Sequence, residues 1–233
     1  MEYFGKISWR FKYRKGIIIS LRLNKMQMTK EQIVYLLTEA RYLNPDLNLE
    51  YNRNIIEEDD LLIKAFESKG YKAIRKDWMD KSCIWSKAEI ILFRTPWNYY
   101  ENLKEFIHFI DHLPKNVNVI NRNYLKWNLD KSYLLELEAN GINVPDTVKI
   151  QKSEELDLES IMSKKNWDKA ILKPCMSAAA FNTFKIESKN LAEIQIKFNE
   201  LILDADFLLQ EYISSITSKG EISMMYFGGK YSH

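Results

Sequence analysis

The chain reads Ala170-Ile171-Leu172-Lys173-Pro174-Cys175-Met176-Ser177-Ala178-Ala179-Ala180-Phe181-Asn182-Thr183-Phe184-Lys185-Ile186 at the centre of its second half. Apolar runs at both ends predict two buried antiparallel strands. The loop from Ser177 to Ala180 has almost no side chain, so its backbone N–H groups can approach a ligand closely. With Lys173 at a strand end, such a loop can hold a phosphate chain. An ordinary hairpin with a surface lysine is the alternative.

Length and composition describe a globular protein with room for one large or two small domains. The chain has 233 residues, of which 46% are hydrophobic and 28% charged. A net charge of +2 predicts no strong attraction to nucleic acid or to a membrane. The two cysteines, Cys83 and Cys175, form no disulfide framework, and three scattered histidines make no convincing metal site. These features predict a reduced, cytoplasmic protein.

The first 27 residues differ from the rest by their excess of lysine and arginine over a single acid, Glu2. We interpret them as a basic extension, with Met26 or Met28 opening the folded domain. A secretory signal peptide is one alternative, but the segment has no small-residue cleavage site after its apolar run. A basic arm that binds nucleic acid is a minor alternative.

Residues 28–121 alternate between strand-like and helix-like segments, which predicts an α/β domain with a parallel sheet. The predicted strands are residues 32–38, 71–78, 88–93 and 117–121. The acids from Glu57 to Asp60 are expected in the first turn of a helix that stops at Gly70. A second helix is predicted over 102–113, and a loop over 41–54.

The segment Arg94-Thr95-Pro96-Trp97-Asn98-Tyr99-Tyr100 directly follows the third predicted strand. Ligands of parallel sheets bind at the carboxyl ends of the strands. Arg94 could hold a carboxylate or phosphate bidentately, or it could pair with the acids at 57–60. The sequence leaves both alternatives open.

Lys131 is expected in the first turn of a helix that Asp130 caps and Gly141 ends. A cation opposes the helix dipole there unless an anion lies nearby. Further on, the pattern predicts strands at 145–150 and 207–213, helices at 153–165 and 191–205, and a final hairpin that turns at Gly228-Gly229.

The order of these motifs resembles the ATP-grasp superfamily, in particular the group around glutathione synthetase, D-alanine–D-alanine ligase and the cyclo-ligase of D-cycloserine biosynthesis. The likeness covers roughly residues 31–233, and the order and spacing carry it more than any one motif. The matching phrases are Arg94-Thr95-Pro96-Trp97-Asn98-Tyr99, Trp127-Asn128-Leu129-Asp130-Lys131, Pro145-Asp146-Thr147, Leu172-Lys173-Pro174, Gln210-Glu211-Tyr212-Ile213, Gly220-Glu221 and Phe227-Gly228-Gly229-Lys230-Tyr231-Ser232-His233.

The resemblance implies an α/β fold in which a parallel pre-ATP-grasp substrate domain (28–121) precedes an incomplete ATP-grasp fold. Residues 122–209 would form its nucleotide-covering subdomain, and 210–233 the start of a truncated C-terminal one. The implied chemistry is ATP-dependent ligation, in which a carboxylate is phosphorylated and an amine displaces the phosphate. The implied ligands are ATP with Mg²⁺ and a small carboxylate, with neither nucleic acid nor membrane involved.

The resemblance also assigns roles to individual positions. Lys131 and Lys173 would neutralise the nucleotide phosphates, and Arg94 and Asn98 would contact the substrate. The remaining expected nucleotide contacts are Ser177, Ala178, Ala179 and Thr183 in the loop, Gln210, Glu211, Tyr212 and Ile213 in the hinge beside the adenine, and Glu221 near the ribose or substrate.

Two departures from the family pattern affect these expectations. Asn98 stands where close relatives usually carry Asp, so a charged role there is in doubt. The family's Mg²⁺ ligands follow the Ser-His phrase, which here ends the sequence at His233, so this chain is expected to lack them and to show no ligase turnover alone. A second copy or a complementing chain would then cover its apolar end. The alternative is a non-catalytic nucleotide-binding or interaction module.

Overall fold

The computed structural model describes residues 31–227 and 229–232, which fall into two compact units divided between residues 122 and 123. The predicted basic extension, Gly228 of the final hairpin and His233 lie outside the described residues. Within the described part of the chain, no helix is long and apolar enough to cross a membrane.

The first unit is built on a four-stranded parallel sheet, as the sequence predicted. Its strands are β1 (Ile33–Thr38), β2 (Lys72–Asp77), β3 (Ala88–Thr95) and β4 (Asn118–Val119), in the order β2-β1-β3-β4. The central strand β1 is buried along nearly its whole length, because it is covered on both faces. The carboxyl ends of β1 and β3 meet where Thr38 Oγ1 and Thr95 Oγ1 share a hydrogen bond of 2.6 Å.

Two α-helices, α1 (Glu50–Glu67) and α2 (Leu103–His112), accompany this sheet. The predicted loop over 41–54 is wrong at both ends, since a 3₁₀ helix spans Ala40–Tyr42 and α1 begins at Glu50. The acids from Glu57 to Asp60 therefore lie in the middle of α1 and not in its first turn. The N-cap residue of α1 is Leu49, whose side chain cannot cap, so the sequence gives no start signal there.

The second unit is built on an antiparallel sheet. Its strands are β5 (Thr147–Ile150), β6 (Ala170–Pro174), β7 (Phe184–Ile186) and β8 (Phe207–Glu211), in the order β5-β8-β6-β7. The predicted pairing of the two strands flanking the small-residue loop is confirmed, with Ala170 opposite Ile186. Helices α5 (Leu158–Lys165) and α6 (Leu191–Leu201) pack on this sheet through a core that includes Phe198 and Phe207.

Short elements complete the second unit. They are α3 (Arg122–Leu129), α4 (Tyr133–Ala139), α7 (Ser214–Lys219), β9 (Tyr226–Phe227) and β10 (Lys230–Tyr231). The single helix predicted to start at Asp130 is wrong in its first turn. Asp130 Oδ1 accepts a hydrogen bond of 2.8 Å from the N–H of Ser132, which makes a turn between α3 and α4. Lys131 is therefore a turn residue. Strand β8 runs through residue 210, where the last subdomain was expected to begin, and that domain division stays a prediction.

Candidate functional site

Lys131 is fixed at the end of strand β6 by its own backbone. Its N–H donates to the carbonyl oxygen of Cys175 at 2.8 Å, which ties the turn between α3 and α4 to the residue that follows β6. The ammonium Nζ then donates to the backbone carbonyl oxygen of Ser177 and lies 3.2 Å from its hydroxyl Oγ. Lys131 and the small-residue loop, which are distant in sequence, therefore lie in contact, and their role toward a nucleotide stays a prediction.

Lys173 lies on β6 and is held by a chain of hydrogen bonds that crosses the sheet. Its Nζ donates to Gln210 Oε1 on β8 at 2.8 Å, and Gln210 Nε2 donates to Thr147 Oγ1 on β5 at 2.8 Å. The hydroxyl of Thr147 donates in turn to the carbonyl oxygen of Pro145 at 2.6 Å. Because β8 lies between β5 and β6, this chain can form only in the observed strand order.

The two ammonium groups are half-buried like charges. Burial, with a smaller contribution from the charge of Lys173, lowers the pKa of Lys131 to about 8. Burial also lowers the pKa of Lys173, which the negative charge of Glu221 partly offsets. Among the described residues neither lysine forms an ion pair; both donate to neutral oxygens. Such a pair favours an anion, since nearby negative charge removes both the repulsion and part of the burial cost.

The loop after β6 holds three non-glycine residues in the left-handed region of backbone space. They are Ala179 at φ 50°, Ala180 at φ 57° and Asn182 at φ 50°. Consecutive turns form the loop, in which Phe181 N–H donates to Ala178 O at 2.9 Å and Thr183 N–H donates to Ala180 O at 3.1 Å. A left-handed conformation costs an alanine roughly 1–2 kcal/mol. The loop therefore keeps a shape that its sequence does not favour locally, at the position where the backbone was expected to meet a ligand.

The expected hinge, residues 210–213, continues β8. Glu211 N–H donates to Asp146 O at 2.9 Å, and Tyr212 N–H donates to Lys169 O at 3.2 Å. Gln210 is buried and its carboxamide joins Lys173 to Thr147, so an adenine contact through this side chain would replace one of those bonds. Glu211 is exposed, and Ile213 is half-buried beside it. Adenine recognition by this segment stays a prediction.

Arg94 and Asn98, the expected substrate contacts, lie in the first unit. Arg94 Nε donates to Asp59 Oδ1 at 2.8 Å and its Nη2 donates to Glu58 Oε2 at 3.0 Å. Of the two alternatives left open by the sequence, the structure contains the ion pair with the acids of α1. Asn98 Oδ1 accepts a hydrogen bond of 2.7 Å from Trp78 Nε1. A contact of either residue with substrate stays a prediction.

Sequence reasoning missed one polar residue at the carboxyl edge of the parallel sheet. Glu39 directly follows β1 and is buried, with Arg41 as its ion-pair partner. The signal was available, because an acid immediately after a buried strand stands where parallel sheets place ligands.

Comparisons with known proteins agree with this architecture. A family model described as the N-terminal domain of D-cycloserine synthetase DcsG matches residues 34–121. The cycloserine biosynthesis protein DcsG of Streptomyces lavendulae is 29% identical over 178 residues, which are 74% of this chain and 59% of that protein.

Solved structures give the same fold. The crystal structure of D-cycloserine synthetase DcsG aligns with a TM-score of 0.73 at 24% identity, covering 86% of this chain and 66% of that one. A RimK domain ATP-grasp protein from Sphaerobacter thermophilus aligns with a TM-score of 0.55 at 17% identity, covering 78% and 64%. The chain thus spans less than two thirds of the length of each of these relatives. The predicted resemblance to the ATP-grasp superfamily is confirmed.

Proposed function

We propose that this chain is an ATP-grasp protein that binds ATP through Lys131, Lys173 and the loop 177–183, as part of a carboxylate–amine ligase. The observation that carries the proposal is the half-buried pair of ammonium groups at the start of a loop of small residues. Neither charge is neutralised by the described part of the protein, so a polyanion is the ligand that this arrangement suits best.

The lysines and the loop would act on different parts of the phosphate chain. Within the described ranges the Lys131 ammonium donates to Ser177, so a phosphate oxygen can replace that neutral acceptor with a charged one, which makes a stronger hydrogen bond. Lys173 would stay hydrogen-bonded to Gln210 while its positive charge attracts the phosphates. The backbone N–H groups of the loop add neutral donors, because its small side chains let a ligand approach closely.

The proposed reaction has two steps that this charge distribution favours. A carboxylate oxygen of the substrate attacks the terminal phosphorus of ATP, the bond from that phosphorus to the bridging oxygen breaks, and ADP leaves. An amine nitrogen then attacks the acyl carbon, the carbon–oxygen bond to phosphate breaks, and the nitrogen loses a proton. Fixed cations stabilise the negative charge that develops on the transferred group in the first step.

Mg²⁺ is implied by the resemblance, and the described residues do not fit it. Over residues 31–227 and 229–232, no three His, Cys, Asp or Glu side chains come together in a way that could hold a metal ion. Glu221, whose negative charge raises the pKa of Lys173, is exposed. The steps above therefore involve the chain's own cations and backbone donors.

Isothermal titration calorimetry with ATP and Mg²⁺ tests the proposal. We expect Lys131→Met and Lys173→Met each to weaken ATP binding roughly 10- to 100-fold, the loss expected for a charge-assisted hydrogen bond. Lys152→Met, at an exposed lysine of the same unit, is the matched control and should bind as the wild type does. Failure of the wild type to bind ATP, or full affinity in both variants, would contradict the proposed function.

A further inference from the structure

We propose that His108 and His112, on helix α2 of the first unit, form a chelating site for a divalent transition-metal ion of the Ni²⁺, Cu²⁺ and Zn²⁺ group. The three histidines of the chain gave no convincing metal site by sequence, but the structure brings two of them into contact. The inference goes beyond the proposed function and does not depend on it, because neither histidine is among the residues proposed to bind ATP.

The spacing and stacking of the two imidazole rings are the first argument. His108 and His112 are four residues apart on α2, so their side chains lie one above the other on the helix surface. Their rings stack with centroids 3.8 Å apart and planes 26° from parallel, and both residues are exposed. Two histidines one helical turn apart on the same face can bind a single metal ion together, and solvent can reach this pair.

The hydrogen bond of the His112 ring is the second argument. His112 Nδ1 lies 2.8 Å from the backbone carbonyl oxygen of His108. A carbonyl oxygen only accepts hydrogen bonds, so Nδ1 must carry a proton, and in the neutral ring the lone pair is then on Nε2. Histidines that bind metals commonly donate their other N–H to a carbonyl oxygen in this way, which fixes the tautomer and the orientation of the ring. His112 is therefore prepared to bind a metal through Nε2.

The charge at this end of α2 is the third argument. His112 is the last residue of the helix, where the helix dipole and the last carbonyl groups favour positive charge. Along α2 the exposed acids Glu105 and Asp111 outnumber the single basic residue, Lys104. A dication at the histidine pair would therefore meet a favourable potential.

The opposite face of α2 holds the helix in place. Phe106 and Ile110 are buried, and the Phe106 ring contacts Trp78 edge to face with centroids 4.8 Å apart. Phe109 contacts Trp85 in the same manner at 5.1 Å. Because these contacts fix the backbone of α2, only the two histidine side chains lose freedom when a metal binds, which keeps the entropic cost low.

The chemistry of the two ligand atoms decides which ions bind. Imidazole nitrogen suits Ni²⁺, Cu²⁺ and Zn²⁺, whereas Mg²⁺ and Mn²⁺ prefer the oxygens of carboxylates, carbonyls and water. Water would fill the coordination positions that the two rings leave open. The site is therefore expected to discriminate against the Mg²⁺ that accompanies ATP.

Isothermal titration calorimetry with NiCl₂ tests the proposal on the full chain without a polyhistidine tag. We expect the wild type to bind Ni²⁺ at least about tenfold more tightly than Mn²⁺. His108→Gln and His112→Gln should each weaken Ni²⁺ binding about tenfold or more, because one imidazole alone cannot chelate. His233→Gln, which changes the third histidine, is the matched control and should bind Ni²⁺ as the wild type does.

The site is overturned if the wild type does not bind Ni²⁺, or if either His108→Gln or His112→Gln keeps the wild-type affinity. Thermal melts identify any variant that fails to fold. Histidine-selective NMR of the wild type gives a second measurement, in which paramagnetic Ni²⁺ should broaden the ring signals of His108 and His112 before that of His233. Earlier broadening of the His233 signal would also overturn the site. ATP affinity should be equal in all four proteins, and loss of ATP binding in the wild type contradicts the proposed function alone.

Discussion

Two charge clusters, one in each unit, are built on opposite principles. In the first unit Asp59 is 1% exposed in its side chain and pairs with Arg94, which also binds Glu58. In the second unit Lys131 and Lys173 are half-buried like charges that donate to neutral oxygens of Ser177 and Gln210. The first cluster carries its own countercharge, and the described part of the second does not.

We infer from this difference that the first cluster serves the fold, and it supports the proposal that the second binds a ligand. A buried charge with a well-placed partner leaves little for a ligand to gain, and breaking it destabilises the protein. Two like charges without a countercharge cost stability, and a bound anion lowers that cost. By the same criterion the ion pair of Arg94 with Asp59 serves the fold, and a contact of Arg94 with substrate stays a prediction.

The largest effect should come from breaking the paired cluster. We expect Asp59→Asn to lower the free energy of unfolding by about 3 kcal/mol, because it leaves the Arg94 guanidinium buried without its closest partner. Urea denaturation measures the change, and Glu57→Gln at an exposed position of α1 is the control. A loss no larger than that of the control would show that Asp59 and Arg94 are not a structural pair.

The lysine cluster should make the free energy of unfolding depend on pH. Burial lowers the pKa of Lys131 from 10.5 to about 8, so between these values the unfolded chain binds more protons than the native one. Stability should therefore rise with pH across that window, by on the order of 2 kcal/mol. Urea denaturation at a series of pH values, with Lys131→Met as the reference lacking this group, isolates the effect. ATP affinity should fall over the same window, as the ammonium is lost.

Removing the unpaired charge should be nearly harmless to the fold. We expect Lys131→Met at neutral pH to leave the free energy of unfolding unchanged or to raise it by up to about 1 kcal/mol, while ATP binding weakens. The same urea experiment used for Asp59→Asn provides the comparison. A destabilisation as large as that of Asp59→Asn would mean that Lys131 is structural, and the contrast between the two clusters would fail.

The smallest effect concerns the loop beside the lysines. Ala180→Gly removes the strain of a left-handed alanine at φ 57°. It also raises the conformational entropy of the unfolded chain, so the net stabilisation should stay within about 1 kcal/mol. Ser177→Ala is a separate comparison, since it removes the hydroxyl 3.2 Å from Lys131 Nζ. Thermal unfolding measures both, and a clear loss of stability in Ala180→Gly would show that the alanine side chain itself supports the loop.

Local patterns in the sequence were sufficient for the strands and for the fold class. Alternating and continuous apolar runs placed β1, β3, β6 and β8 closely, because strand periodicity is a property of neighbouring residues. The start of α1 was missed because Leu49 carries no capping group, and the turn at Lys131 because Asp130 caps a turn and not a helix. Those errors come from signals that are absent or ambiguous within a few residues.

By itself, then, the sequence determined which segments are strands, that a lysine and a small-residue loop adjoin, and which superfamily the motif order resembles. Only the tertiary structure decided what each charge meets. Arg94 finds Asp59 on α1, Lys173 reaches Thr147 through Gln210, and Glu39 is buried under Arg41. The reason is physical: the pKa and the role of a charged group depend on burial and on partners that strand order brings together from distant positions, and no local pattern encodes either.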